Sequence, residues 1–172
     1  MKIALPLTAC LVLLAPAVAG NPPIAQRAPG PIAPGAAQSA KAVLEEYVSA
    51  WNRHNPAALG RLLDAQSVHE DIPAGFHGEG PAQIEAFAGE VFKAQPDLKW
   101  RLTAIVESGS TAAAEWTWTS TYTGDGPNGP VAGQRISARG ASFVVVEGGR
   151  IRRFVDYYDF ASAFPAPTSG AK

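Results

Sequence analysis

Residues 148–160 have the sequence GGRIRRFVDYYDF, which is the pattern of a long strand that follows a tight turn. Two glycines favour the turn, and the β-branched and aromatic residues after them favour a strand. Side chains alternate across a strand, so one face is predicted to carry Arg152, Phe154, Asp156, Tyr158 and Phe160. A carboxylate among aromatic side chains is costly to bury unless it is paired or used. Asp156 is therefore either a working charge in a pocket or a solvated or arginine-paired charge on an edge strand.

The chain before this strand contains helical and strand patterns in a definite order. Apolar residues at helical spacing, with Asn55 and Pro56 opening the second segment, predict helices over 39–54, 56–64 and 81–95. Alternating apolar and polar residues predict strands over 66–72, 98–107, 111–123, 134–147 and 149–160. The segments 73–80 and 124–133 are predicted to be loops. Because the helices are separated from consecutive strands, the sequence predicts an α+β fold in which three N-terminal helices pack on one curved antiparallel sheet.

The two ends of the chain differ in composition from its centre. Lys2, an apolar run and the Ala-Val-Ala triplet at 17–19 predict a signal peptide over 1–19, so the protein is expected to be exported to the periplasm or secreted. Cleavage would remove Cys10 and leave no stable membrane anchor, although residues 7–10 also resemble a lipoprotein box. A Pro/Ala/Gly-rich linker is predicted over 20–37 and a disordered tail over 165–172. The folded domain is predicted over 38–164.

Overall composition narrows the classes of partner. The 172 residues suit one domain, and the 47% share of hydrophobic residues suits a globular core. The net charge of −1 gives no electrostatic case for nucleic acid or an anionic membrane surface. No nucleic acid is therefore predicted as a partner. No cofactor is predicted, because the sequence has no phosphate-binding glycine loop or nucleotide fingerprint. No metal is predicted, because adjacent strand residues such as His69 and Glu70 point to opposite faces.

Four phrases of the sequence carry a resemblance to a known family. They are YVSAWN at 47–52, GPAQI at 80–84, YTG at 122–124 and DYYDF at 156–160. With the order of elements, they resemble the nuclear transport factor 2-like superfamily and its SnoaL-like branch, which includes polyketide cyclases. The resemblance implies a cone-shaped fold over 38–164. It does not imply one activity, because this fold serves enzymes, ligand binders and adaptors alike.

Resemblance to ketosteroid isomerase implies one set of roles within the superfamily. A tyrosine of the first helix donates a hydrogen bond to the substrate oxyanion there, and an aspartate of the first strand moves the proton. These roles fall on Tyr47 and Asp71. Ala141 occupies the place of the second oxyanion donor, so the set is incomplete.

Two other enzyme groups imply different roles. Resemblance to limonene epoxide hydrolase places one aspartate role on Asp156 and another near Asp125. The intervening arginine is absent from its expected place, although Arg139 or Arg152 could substitute in space. Resemblance to the SnoaL polyketide cyclases places Tyr122 where their histidine stands.

Strand alternation and the resemblance together predict one polar pocket. His69 and Asp71 share a face of their strand, and a His–Asp pair beside an apolar wall suits proton transfer. The predicted catalytic residues are Tyr47, His69, Asp71 and Asp156. The predicted ligand-binding wall consists of Trp51, Trp116, Trp118, Tyr122, Phe143, Phe154 and Tyr158.

Two classes of function fit this pocket. The first is an exported protein that binds a small, mostly apolar molecule and performs cofactor-free acid/base chemistry as an isomerase, cyclase or hydrolase. The second is a non-catalytic ligand-binding or dimerisation module in which the carboxylates are structural. The outer face of the sheet is expected to suit a homodimer through Thr117, Thr119, Thr121, Val144 and Val146.

Overall fold

A computed structural model describes residues 38–124 and 131–164 of the chain. The predicted signal peptide (1–19), linker (20–37) and tail (165–172) lie outside these residues, as does Asp125. The helices are α1 (Ala40–Asn52), α2 (Pro56–Arg61), α3 (Gly80–Ala94) and α4 (Phe160–Ala163). The strands are β1 (Leu63–Asp71), β2 (Phe76–Glu79), β3 (Lys99–Ser108), β4 (Thr111–Thr121), β5 (Arg135–Glu147) and β6 (Arg150–Tyr158). None of the described helices is long and apolar enough to span a membrane.

The six described strands form one sheet in the order β2-β1-β6-β5-β4-β3, and this confirms the predicted α+β class. One detail of the prediction is wrong, because the sheet is mixed rather than wholly antiparallel. The last strand, β6, returns to lie beside β1 and runs parallel to it, whereas the other neighbouring pairs are antiparallel. The parallel pairing places Asp71 opposite Asp156 on adjacent strands.

Side-chain caps determine where the first two helices begin. The Ser39 hydroxyl accepts a hydrogen bond from the backbone N–H of Ala42 at 3.2 Å and caps α1. Asn55 caps α2 through a bond of 3.0 Å from the N–H of Ala58, and Pro56 occupies the first helical position. Such caps satisfy backbone donors that have no partner inside the helix.

The end of α1 is attached to the sheet by an amide side chain. Asn52 accepts a bond of 2.8 Å from the backbone N–H of Trp100 and donates one of 2.7 Å to its carbonyl oxygen. This pair of bonds holds the buried face of α1 over the inner face of the sheet. The side chains packed there include Leu44, Tyr47, Trp51, Ile84 and Phe154, each at most 2% exposed.

A bulge changes the predicted alternation in β6. Val145 lies opposite Arg153 and Val146 lies opposite Ile151, so Arg152 is the extra residue between them. Its guanidinium donates to the carbonyl oxygen of Gln66 instead of joining the inner face. The predicted common face is thus correct for Phe154, Asp156 and Tyr158 and wrong for Arg152.

Two short elements differ from the predicted loop and strand ends. Strand β2 lies within the segment 73–80 that was predicted to be a loop, and its Phe76 stacks on Phe87 of α3 with ring centroids 3.8 Å apart. Strand β6 ends at Tyr158 because Asp159 caps α4 through a bond of 3.2 Å from the N–H of Ser162.

Candidate functional site

An aromatic cavity of about 140 Å³ lies between the inner face of the sheet and helices α1, α3 and α4. Its polar end is formed by His69, Asp71 and Asp156, which come from the neighbouring strands β1 and β6. The other lining residues are Trp51, Ala74, Phe87, Val91, Gln95, Trp100, Trp116, Trp118, Ala138, Tyr158, Phe160 and Phe164. A largely apolar cavity with a few convergent polar groups is the usual form of a small-molecule site.

Asp156 accepts hydrogen bonds on both carboxylate oxygens. The hydroxyl of Ser142 on β5 donates to Oδ1, and His69 Nε2 lies 3.3 Å from Oδ2. Ser142 in turn accepts a bond of 2.7 Å from the indole N–H of Trp116. Asp156 is only 7% exposed, so these bonds replace the water that the carboxylate loses on folding.

The contact that His69 makes through Nδ1 determines which groups of this network donate hydrogen bonds and which accept them. Nδ1 lies 3.2 Å from the hydroxyl of Tyr47, and both residues are at most 1% exposed. Burial raises the pKa of Tyr47 well above its ordinary value, so the phenol keeps its proton and donates. With the Tyr47 hydroxyl as the donor, the His69 tautomer that satisfies both contacts accepts at Nδ1 and donates at Nε2 to Asp156, an assignment made from the bonding pattern. All the donors in the network therefore point toward Asp156.

Asp71 differs from Asp156 in its surroundings. Its Oδ1 accepts from the N–H of Ala74 at 3.1 Å and its Oδ2 accepts from the hydroxyl of Tyr158 at 3.2 Å. Burial raises the pKa of the Asp71 carboxyl above its ordinary value, and the negative charge of Asp156 raises it further. Asp71 is also less buried than Asp156 and lines the cavity. A raised pKa makes Asp71 a stronger proton acceptor than an aspartate carboxylate in water.

The structure brings together seven of the residues predicted for the pocket. His69, Asp71 and Asp156 line one cavity with Trp51, Trp116, Trp118 and Tyr158. Tyr47 and Phe154 were predicted to contact the ligand directly but are fully buried behind His69 and do not line the cavity. Phe154 packs against the rings of Tyr47 and His69, with both centroid distances at 4.9 Å.

Phe143 and Tyr122 do not belong to the wall of this cavity. Phe143 lies on the outer face of β5 and is 38% exposed, whereas its neighbour Ser142 faces inward. Tyr122 follows the last residue of β4 and is not among the described residues that line the cavity. Side chains alternate along β5, so Val144 and Val146 face inward like Ser142 and are buried in the core. Their predicted place on an outer dimer face is therefore wrong.

The two arginines considered as substitutes for a missing catalytic arginine lie elsewhere. Arg139 is exposed on the outer side of β5, and Arg152 bonds to Gln66 and lies 3.4 Å from Asp64. Neither lines the aromatic cavity. Over 38–124 and 131–164, His, Cys, Asp and Glu side chains form no group of three that could hold a metal ion.

Several site residues were not predicted. Trp100 lies on the apolar side of an alternating strand, and that alternation was the available signal for its inward direction. Ser142 and Gln95 had no comparable signal, because short polar side chains occur on either face of a strand or at a helix end. Gln95 Oε1 accepts bonds of 2.9 Å from Trp118 Nε1 and 2.6 Å from the hydroxyl of Ser120, and so holds the Trp118 ring at the cavity.

Comparison with known proteins agrees with this fold. A candidate polyketide cyclase from Pseudomonas putida KT2440 is 29% identical, has a TM-score of 0.62, and the match covers 73% of this chain and 95% of that one. A candidate polyketide cyclase from Xanthomonas campestris pv. campestris is 26% identical and has a TM-score of 0.59, and the match covers 70% of this chain and 90% of that one. A candidate SnoaL-like polyketide cyclase from Jannaschia sp. CCS1 is 14% identical and has a TM-score of 0.65, and the match covers 75% of this chain and 93% of that one.

A search of curated proteins finds no match to the chain. A family model described as the SnoaL-like domain matches residues 44–154, which include α2, α3, β1 to β5 and 11 of the 15 residues that line the cavity, but not Asp156. The chain therefore belongs to the SnoaL-like domain family and has the nuclear transport factor 2-like fold.

Proposed function

We propose that this protein binds a small, mostly apolar molecule in the aromatic cavity and transfers a proton to or from it with Asp71. The observation that carries the proposal is the position of Asp71 at the polar end of the cavity, beside Asp156 and with a raised pKa. A carboxylate whose pKa approaches the working pH is a more effective general base than one at its ordinary value. The reaction is free of any cofactor in this proposal.

The neighbouring residues position Asp71 rather than react. Tyr158 donates to Oδ2 of Asp71, and burial, with the nearby Asp71 charge, raises the pKa of Tyr158, so its phenol stays protonated. His69 uses both ring nitrogens within the protein, one toward Tyr47 and one toward Asp156. We therefore assign His69 and Asp156 the role of holding the polar end of the cavity in one arrangement.

The reaction class that suits these groups is proton abstraction next to a carbonyl, as an isomerase or a cyclase requires. An epoxide hydrolase of the Asp-Arg-Asp type is less suited, because no Lys or Arg is among the described residues that line the cavity. Similarity to the candidate cyclases of Pseudomonas putida and Xanthomonas campestris, both above 25% identity, supports the same class.

Exchange of α-protons tests this proposal without knowledge of the natural substrate. In D₂O the protein is expected to accelerate the loss of the α-proton NMR signal of cyclohexanone, a small apolar ketone. Asp71→Asn is expected to lower the protein-dependent rate by about 100-fold or more, the usual contribution of a general base. Glu70→Gln is the matched control, because Glu70 faces away from the cavity and pairs with Arg153 at 2.8 Å. A wild-type rate equal to that of buffer, or an undiminished rate for Asp71→Asn, would contradict proton transfer by Asp71.

A non-catalytic ligand-binding protein is the second candidate, and one observation favours it. Both oxygens of Asp156 and both ring nitrogens of His69 already have partners within the protein, so this part of the site is complete without a substrate. Saturable binding of small apolar molecules without any Asp71-dependent exchange would favour this second candidate.

Export and self-association form part of the proposal. The composition of residues 1–19 supports export to the periplasm or secretion. Exposed outer-face side chains of the sheet, among them Phe143, Tyr157 and Thr119, support a homodimer through that face.

A further inference from the structure

Among residues 38–124 and 131–164, the charged side chains that line the cavity are acidic and are not balanced by basic ones. Asp71 and Asp156 contribute two carboxyl groups to its lining, and no Lys or Arg among the described residues faces them there. The remaining ionisable lining groups are His69, which donates to Asp156, and Tyr158, which donates to Asp71. A carboxylate in an apolar site that lacks a cation is costly, and a positively charged ligand would offset that cost.

Four tryptophans line the aromatic part of the same cavity, and we call them the cage: Trp51, Trp100, Trp116 and Trp118. Trp100 lies 5.8 Å from Trp51, 5.7 Å from Trp116 and 5.5 Å from Trp118 between ring centroids. The corresponding interplanar angles are 76°, 81° and 52°, so the rings meet at steep angles instead of stacking on one another. All four of these indole rings line the cavity, and indole rings attract cations.

Tyr158 connects the cage to the carboxylates. Its ring lies 5.8 Å from that of Trp116, and its hydroxyl donates to Asp71 at 3.2 Å. A ligand in the cage is therefore also close to the acidic end of the cavity. Burial raises the pKa of Asp71, and the negative charge of Asp156 raises it further.

A buried donor at the cavity has no partner in the part of the chain that the structure describes. Trp100 is 3% exposed and lines the cavity, and its indole N–H has no hydrogen-bond partner among the described residues. Buried polar groups are usually satisfied, so this donor calls for an acceptor atom, either the oxygen of an ordered water or one that the ligand carries beside its cationic group.

From the cage, the two carboxyl groups and the missing basic residue, we propose that the ligand is a small organic cation of the alkylammonium class. This inference rests on the proposed function, because it specifies the molecule that the same cavity binds. It makes the ligand mostly apolar by surface and positive at its centre. The apolar substituents contact the indole rings, and the charge is stabilised by the ring faces and by Asp71.

Choline and 3,3-dimethylbutan-1-ol form a matched pair of probes, since they differ only by nitrogen or carbon at the branched centre. With the full-length protein, calorimetric titration is expected to show choline binding about tenfold more tightly than its neutral analogue. Asp71→Asn is expected to weaken choline about tenfold and to leave the analogue within about twofold. Glu70→Gln, whose carboxylate lies outside the cavity, is expected to leave both affinities unchanged.

Trp118→Leu provides a second variant, because Trp118 is half-buried at the cavity and its replacement keeps an apolar wall. It is expected to weaken choline more than the analogue. Equal affinities of the two probes, equal losses for both in either variant, or binding of neither probe would overturn the inference. Asp71-dependent exchange of cyclohexanone together with equal probe affinities would remove the cation and leave the proposed chemistry in place. A preference for choline without Asp71-dependent exchange of cyclohexanone would support the cationic ligand and remove the proposed proton transfer.

Discussion

Asp156→Ala is expected to lower the free energy of unfolding by about 3 kcal/mol, because it removes the acceptor on which a buried network converges. The hydroxyl of Ser142 and the Nε2–H of His69 would both lose their partner while staying out of water. Each unsatisfied buried donor costs about 1–3 kcal/mol, and the cavity left by the side chain adds to that cost. Urea unfolding followed by circular dichroism measures the loss.

Two variants serve as controls for this result. Asp156→Asn retains one acceptor oxygen and is expected to lose about half as much stability. Glu147→Ala removes an exposed carboxylate from the end of β5 and is expected to change stability by less than about 0.5 kcal/mol. A loss for Asp156→Ala no larger than that for Glu147→Ala would contradict a structural network centred on Asp156.

Gly140→Ala is expected to destabilise the protein by about 2 kcal/mol and to move the ring of Trp116. A Cβ at position 140 would lie 2.5 Å from a ring atom of Trp116 and 2.5 Å from the carbonyl oxygen of Tyr157. The backbone oxygen belongs to the neighbouring strand β6 and cannot give way without disturbing the sheet. The absence of a side chain at Gly140 is thus what allows the Trp116 ring to pack closely against β5 while it lines the cavity.

Gly89→Ala is the matched control for this glycine. Gly89 lies in α3 with nothing within 4 Å of the position of a new Cβ. Because alanine is the better helix former, this variant is expected to gain about 0.5–1 kcal/mol. Urea unfolding with tryptophan fluorescence compares the two variants. A Gly140→Ala protein with wild-type stability and an unchanged tryptophan spectrum would show that Trp116 is not held as described.

Strand alternation predicted the inward residues where a polar side chain occupies every second position. Trp116 and Trp118 are separated by Thr117, so the inward face of β4 was evident, whereas alternation in β1 placed His69 and Asp71 on one face without showing that this face is inward. The segment 143–146, Phe-Val-Val-Val, is apolar at every position and has no such phase. In the structure, the pairing of this segment with β4 and β6 determines which of its side chains face inward, and it places Phe143 on the outer face.

Contacts between distant segments were the other part that the sequence did not reveal. The parallel pairing of β1 with β6 joins residues that are far apart in the chain, and no local pattern encodes it. Asp71 and Asp156 were both candidates, but their adjacency depends on that pairing. The order of bonds from Tyr47 through His69 to Asp156 likewise depends on α1 crossing the sheet at the right place.

The raised pKa of Asp71 implies a conflict between function and stability. For an acid whose native pKa lies above its unfolded value of about 3.9, the stabilising contribution is complete below that value. It is lost as the pH rises through the native pKa, because ionisation is easier in the unfolded chain. Asp71 thus costs stability near neutral pH, as is common for residues that are kept for function.

The titration of the Asp71 carboxyl carbon, followed by NMR with ¹³C-labelled aspartate, tests the central claim most directly. The account predicts a midpoint clearly above the ordinary aspartate value of about 3.9, and a lower midpoint in Asp156→Asn, where the neighbouring negative charge is gone. A midpoint for Asp71 at the ordinary value, unchanged by Asp156→Asn, would contradict the claim that this carboxyl is prepared for proton transfer.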